Sequence, residues 1–451
     1  MTVTATTAAP ARAGRRIPVL RGYRFELVKL LSQWRLRLLI LAAWVVPAVL
    51  VSELSRQSSL PADTVFGRWM HATGWAGSLL VLGFVGTYAL PLLTSVVAGD
   101  VFAAEDRLGT WRHLLVAIRS PRRIFAAKAL ASLTVIVLMV AGLTCSSMAA
   151  VLVVGNRPLI GLDGHTLAPA DAAGKVLLAW LCALAPTMAL AAIGLLGSVT
   201  LGRSPMGLLL PALAGLAMAG AQILPLPVAV RAALPSYGFI AWRGLFTSPM
   251  QLSPLLVAVA VSLVWAFAAT ALAYWLFLRR DFTNVSDDGL VRRTLTVGVL
   301  PLAVVYALTI GVLALSVPAT TGSSIEQGKL QRSVSTVFAH LYRLQAQELH
   351  RPSVTEAQLR TSTFCDNGGG LVAPSGAGNG WRCTVTWHIP GVDATGQAIY
   401  QLAVTPDGRY IADGDGPVQV NGYFLVRTPA GDAANPLWQF DGTVDLLATK
   451  G

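Results

Sequence analysis

LSPLLVAVAVSLVWAFAATALAYWLFL, from Leu252 to Leu278, contains no Asp, Glu, Lys or Arg and is closed by Arg279 and Arg280. Crossing the roughly 30 Å of bilayer hydrocarbon takes about 20 residues of helix, and this run exceeds that. Similar uncharged runs occur near 36–54, 74–98, 129–153, 176–200, 205–225 and 295–316. Together they predict seven spans. Of the 451 residues, 54% are hydrophobic and 12% charged, which is too apolar for soluble packing.

The net charge of +12 raises the question of nucleic acid. Up to Ser316 there are 25 basic and 11 acidic residues, against 9 and 11 afterwards, so the excess lies wholly in the apolar part. That is a topology signal, and no nucleic-acid partner is expected. With the N-terminus inside, nineteen basic residues fall on the inner side and six on the outer. The C-terminal domain is then outside; over the whole chain only five of the 34 basic residues are Lys, a bias that points to a high-GC bacterium.

The chain divides into a disordered N-terminus (1–18), an interfacial amphipathic helix (19–37), a six-span transmembrane domain (38–280), an inner loop and seventh span (281–316), and an extracytoplasmic α+β domain (317–451). In the amphipathic segment Leu27, Leu31, Trp34 and Leu38 recur at helical spacing, with Glu26, Lys29, Gln33 and Arg37 on another face. The outer domain begins with a helix over Ile325–Leu349. Strands then follow at Trp381–Ile389, Gln397–Thr405, Arg409–Ala412, Val418–Arg427 and Leu437–Leu447, predicting a helix on an antiparallel sheet.

An outer location permits a disulfide. Cys365 and Cys383 flank a Gly-rich loop, and Cys383 shares a strand face with Val385 and Trp387. Closing so short a loop stabilises a domain by about 3 kcal/mol. Two free thiols or a metal half-site are the alternatives, but no second Cys pair or His cluster stands near to complete a zinc site. Cys145 and Cys182, inside apolar runs, read as inert packing residues. Asp413-Gly414-Asp415-Gly416 lacks the later ligands of a calcium loop and reads as a solvated turn.

No catalytic motif is present. The six His are scattered without metal-ligand spacing, there is no G-x-S-x-G, and Gly174-Lys175 is followed by Val176, so no phosphate-binding loop exists. The spans read as free of buried charge, which argues against a proton relay. Energy must come from elsewhere.

The loop after the second span, GDVFAAEDRLGTWRHLL (99–115) followed by SPRRIFAAK (120–128), reads as a short amphipathic helix between two spans. With Glu105, Gly109-Thr110, Leu114-Leu115, Pro121 and Lys128 in order, it resembles the first cytoplasmic loop of ABC-2 type transporter permeases. The resemblance covers roughly residues 20–280, including Pro225–Ser253 as short re-entrant helices. It implies that Glu105, Asp106, Gly109, Thr110, Arg112, Leu114 and Leu115 couple the spans to a separate ABC ATPase subunit that carries ATP and Mg. It also implies a permease homodimer or heterodimer in the lipid bilayer. Arg112 departs from the acidic residue common after Gly-Thr, which puts the polarity of the docking surface in doubt. Small residues such as Gly194, Gly197, Gly215 and Gly220 suit close helix packing. The implied activity is export of a hydrophobic or amphiphilic small molecule or lipid; the alternative is a membrane-anchored extracytoplasmic binding or assembly module without transport.

Overall fold

The computed structural model describes residues 19–56, 73–118, 120–201, 206–280, 282, 294–316, 325–416, 423, 425–429 and 431–448. The N-terminal segment 1–18 and most of the inner loop 281–293 lie outside the described residues. Six helices are long and apolar enough to cross a membrane: α2 (Trp34–Arg56), α3 (Gly74–Ala98), α6 (Pro121–Val154), α7 (Pro169–Leu201), α10 (Ser253–Leu278) and α11 (Thr296–Ser316). Ahead of them lies α1 (Val19–Ser32); α4 (Ala103–Leu108) and α5 (Trp111–Ile118) follow α3; α8 (Met206–Ala221) and α9 (Val228–Ala232) precede α10.

The expected span at 205–225 is represented by α8, whose 16 residues rise only about 24 Å. Pro225 and Pro227 keep the apolar run from continuing as helix, since proline lacks the N–H donor. The helix still joins the two ends of the bundle. It starts beside the end of α7 and finishes at Gln222, whose side chain bonds Arg231 and Ser236 in the segment that follows. That segment is α9 and two short 3-10 turns, Pro235–Phe239 and Ala241–Phe246, with Tyr237, Phe239, Trp242 and Phe246 buried.

The two ends of the bundle can be told apart by their contacts. At one end, Ser198 of α7 accepts from the backbone N–H groups of Phe102 and Ala103, and Arg280 reaches Asp106. At the other, Gly74 N–H donates to Gly155, and the hairpin of β1 (Leu159–Ile160) and β2 (Thr166–Leu167) meets the 3-10 turns through Leu162 N–H and the Phe246 carbonyl. The C-terminal domain sits at this second end, opposite α4 and α5. His340 bonds the Asp163 carbonyl at 3.0 Å and Arg243 pairs with Asp407 at 2.6 Å.

The C-terminal domain is a five-stranded antiparallel sheet with a helix packed on it. The helix is α12 (Gln327–Glu348), followed by the single turn α13 (Glu356–Leu359). Strands β3 (Ser362–Asn367), β4 (Gly378–His388), β5 (Thr395–Val404) and β6 (Arg409–Gly416) run in order, and β9 (Gln439–Thr443) closes on β6. A hairpin of β7 (Leu425–Thr428) and β8 (Gly431–Ala434) stands apart. Alternation sets the core: Cys383, Val385 and Trp387 of β4 and Ala398, Tyr400 and Leu402 of β5 are buried under Phe338 of α12.

Cys365 and Cys383 lie directly opposite on β3 and β4 and are disulfide-bonded, a pairing closed over 18 residues. Replacing both by serine is expected to lower the C-terminal domain's stability by about 3 kcal/mol. A lower urea midpoint for that domain's unfolding is the readout; an unchanged midpoint overturns the expectation. Edge strand β3 was not apparent in sequence, because Ser-Thr-Phe-Cys-Asp-Asn buries only Cys365 fully. Asp413–Gly416 is not the free turn expected. It continues β6 along β5 through a register shift, with Asp415 paired to Arg382. Of the strand expected at Val418–Arg427, residues 417–422 and 424 lie outside the described residues. Cys145 faces outward rather than into the packing.

Candidate coupling site

The amphipathic stretch expected over 19–37 is two helices broken at Gln33; Leu27 and Leu31 pack partly against the core and Gln33 and Arg37 are exposed, but Glu26, read onto the polar face, is buried. Gly22, Glu26 and Leu30 of α1 are buried against α6, whereas Phe25, Val28, Trp34 and Leu38 are exposed. A helix at the bilayer surface hides its polar residues in protein when a partner charge waits there. The partner here is Lys128, two turns beyond the start of α6 and only 1% exposed.

Lys128 Nζ lies 3.0 Å from Glu26 Oε2 and 2.7 Å from Glu105 Oε1, and also donates to the Val101 carbonyl at 3.4 Å. Glu105 further pairs with Lys29 of α1 and accepts from the Thr110 hydroxyl. Burial pushes the Glu105 carboxyl up, but Lys128, Lys29 and Thr110 outweigh it and hold the pKa at about 2. This buried charge lies just outside the runs read as spans: the third of those begins at residue 129, one position past Lys128.

The next residue anchors the other side. Asp106 accepts from Trp111 Nε1 at 2.5 Å and from Arg280 at 2.9 Å, with the Arg280 guanidinium over the Trp111 ring. Phe102, Phe125, Phe277 and Phe282 stack around them. Gly109 terminates α4 with φ +67°, the left-handed region where a side chain is strained. Thr110 then begins the turn into α5, and Pro121 opens α6, where its missing N–H costs nothing.

Among the residues expected to couple, Glu105 and Asp106 point inward, and Leu114 and Leu115 are half-buried against the core. Arg112 and Gly109 are exposed, as are Leu108 and Val116, each 68% accessible. The sequence reading missed Glu26, Lys29, Arg280 and Ser198 and left Lys128 off the site. One compositional signal marked them. Only five of the 34 basic residues are lysine, and Lys29 and Lys128 are two of those five.

A depressed carboxyl contributes stability that is complete above its ordinary pKa of 4.5 and lost as pH falls toward about 2. Asp407 follows the same rule. Burial raises its pKa, but Arg243 and Arg409 bring it to about 2. Both the loop anchor and the outer-domain contact are thus expected to hold unchanged from pH 8 to pH 5 and to weaken only below about pH 4. Limited proteolysis across that range checks it, and a loss of protection near pH 6 counts against it.

Six helices long and apolar enough to cross a membrane, an ion-locked loop at one end and a folded domain at the other describe a multi-pass membrane protein. The family comparison makes this specific. Residues 24–202 match the model described as ABC-2 family transporter protein, so this part of the chain is an ABC-2 family transporter membrane domain. The ABC-2 permease family carries no catalytic domain, and its members typically pair with an ATPase. Comparison with curated proteins and with solved structures gives no match.

Proposed function

We propose that this permease works with a separate ABC ATPase, which carries ATP and Mg, and that residues 103–118 are the peg through which the two subunits couple. The observation behind the reading is the locking of α4 by Glu105 and Asp106 to α1, to α6 and to Arg280, two residues past the end of α10, at once. A peg held at three points moves the spans as a body, whereas a loose loop would absorb the movement. In this assignment Glu105, Asp106 and Thr110 position the peg, Gly109 sets its corner, Leu114 and Leu115 seat α5, and Arg112, Leu108 and Val116 face the ATPase.

The peg side is then cytoplasmic, in keeping with the excess of basic residues there, and the C-terminal domain is outside. Two permease copies, or this chain and a second permease, complete the transporter. The cargo leaving through it is a hydrophobic or amphiphilic small molecule or lipid. Gly194 and Gly215 serve close helix packing within the chain, a Cβ on either meeting α3 atoms at 3.2 Å and 2.6 Å. The purified full chain, drawn from its native membrane in mild detergent, is expected to bring an ATP-binding subunit with it. Gly109→Ala, which forces an alanine into the left-handed region, is expected to weaken that capture. If no ATP-binding chain accompanies the protein, the anchored binding module becomes the better reading.

A further inference from the structure

Helix α1 has two unlike sides. The inner one runs along the loop that Glu105 and Asp106 lock. A Cβ placed on Gly22 would meet Ala127 of α6 at 3.4 Å and Ile118, the last residue of α5, at 3.9 Å, and two turns on Lys29 pairs with Glu105 of α4. One helix therefore touches both ends of the loop. On the outer side Leu20, Phe25 and Val28, and Trp34 past the break at Gln33, are between 59% and 73% exposed. Arg21, Arg24, Arg35 and Arg37 are exposed among them.

Apolar side chains and arginines interleaved on one side suit the boundary between acyl chains and headgroups. There the apolar groups enter hydrocarbon while long basic side chains reach phosphate oxygens. Helix α1 stands where that boundary lies, because the span α2 starts two residues after α1 ends, with Trp34 at the corner. Arg37 Nε donates to the Leu31 carbonyl at 2.6 Å and so fixes the corner, and the Arg35 guanidinium lies over the Trp34 ring.

The charge of this side is not balanced from within. From Val19 to Arg37 there are five basic residues and one acidic, Glu26, and Glu26 is turned inward onto Lys128. The other described carboxylates at this end are engaged as well: Asp100 by Arg107, Glu105 by Lys128 and Lys29, and Asp106 by Arg280. Basic residues on an amphipathic helix beside a span attract anionic headgroups, and each one adds to the attraction.

We infer that α1 and the start of α2 bind anionic phospholipid, with Arg21, Arg24, Arg35 and Arg37 on the headgroup phosphates and Leu20, Phe25, Val28 and Trp34 in the acyl layer, and that this contact holds α1 against the coupling loop. Calling the leaflet cytoplasmic and the loop a coupling loop rests on the permease reading; lipid binding itself requires no ATPase.

The test uses the full chain without ATPase in nanodiscs holding equal amounts of phosphatidylcholine and phosphatidylglycerol, with retained lipids counted by native mass spectrometry. Phosphatidylglycerol is expected to be retained at least about tenfold over phosphatidylcholine. Arg21→Gln, Arg24→Gln and Arg35→Gln together are expected to erase that excess without changing the melting temperature in phosphatidylcholine, and the same three changed to Lys to keep it. Arg112→Gln with Arg122→Gln, which removes two exposed charges of the same end away from α1, is expected to leave the excess in place. An excess that survives the three Gln changes, or falls as far in the Arg112 and Arg122 control, overturns the site. Amide hydrogen exchange over residues 103–118 is expected to be slower in phosphatidylglycerol than in phosphatidylcholine, and equal exchange overturns the hold on the loop. ATPase capture is read separately, in phosphatidylcholine. A loss of capture there on the three Gln changes shows that these arginines touch the ATPase and overturns the lipid assignment. Retained phosphatidylglycerol without any captured ATPase removes the permease pairing and leaves the lipid site standing.

Discussion

Lys128→Met is expected to unlock the coupling loop and to cost the permease more stability than any other single substitution at this end of the bundle. The lysine is 1% exposed and holds both Glu26 and Glu105. Methionine matches its length but leaves two carboxylates facing each other in a buried site. Breaking one side of such a pair costs about 3–5 kcal/mol. Glu105 retains Lys29, which is one-third exposed and offsets only part of that loss. The melting temperature of the purified protein is therefore expected to fall, and the segment from Ala103 to Ile118 to become accessible to protease. Transport, read as ATP-dependent efflux from vesicles, is expected to fall with them. Unchanged melting and unchanged protection would show that the cluster is incidental to the loop's position.

The second large effect is expected from a change that leaves the fold intact. Leu108→Glu combined with Val116→Glu puts charge on two apolar side chains that are each 68% accessible. Exposed positions of this kind move stability by about 0.5 kcal/mol or less, so the permease alone is expected to melt as before. Placed in the apolar part of a protein interface, an unpaired carboxylate is strongly unfavourable. Capture of the ATPase is expected to drop at least about tenfold, measured by pull-down at fixed ionic strength. The pair of substitutions separates two roles that any single change at Glu105 would confuse: positioning the peg and touching the partner. An ATPase retained by the double variant places the contact on another surface.

The residues of the loop motif now have separate physical duties. Glu105, Thr110 and Lys128 belong to one buried network although the last is 23 positions from the first, and Gly109 is required by the backbone turn between them. Asp106 is tied instead to Arg280, 174 positions away and just past the end of α10. The order Glu, Gly-Thr, Leu-Leu, Pro and Lys in the sequence marks the place. Which of these groups are inside and which are outside is settled by what packs on them.

Much of the protein follows from local sequence properties. Long uncharged runs admit helix and little else in hydrocarbon, because every backbone polar group must be satisfied within the segment. Strict alternation over Trp381–His388 and Gln397–Val404 sets one face of each strand inward, and the same pattern put Cys383 where its partner is found. Both signals lie within a dozen or so neighbours. The tertiary structure alone decided the rest. Helical spacing divides α1 into two faces but does not say that Glu26 of the polar one meets the buried lysine of α6. A strand such as β3 owes its place to its neighbour β4 rather than to its own apolar content. A cavity under the C-terminal domain has walls drawn from residues 79 to 443, so no window of sequence contains it. Charge pairs and cavities are made by contacts between distant segments, and their energies depend on burial, which a sequence acquires only when it folds.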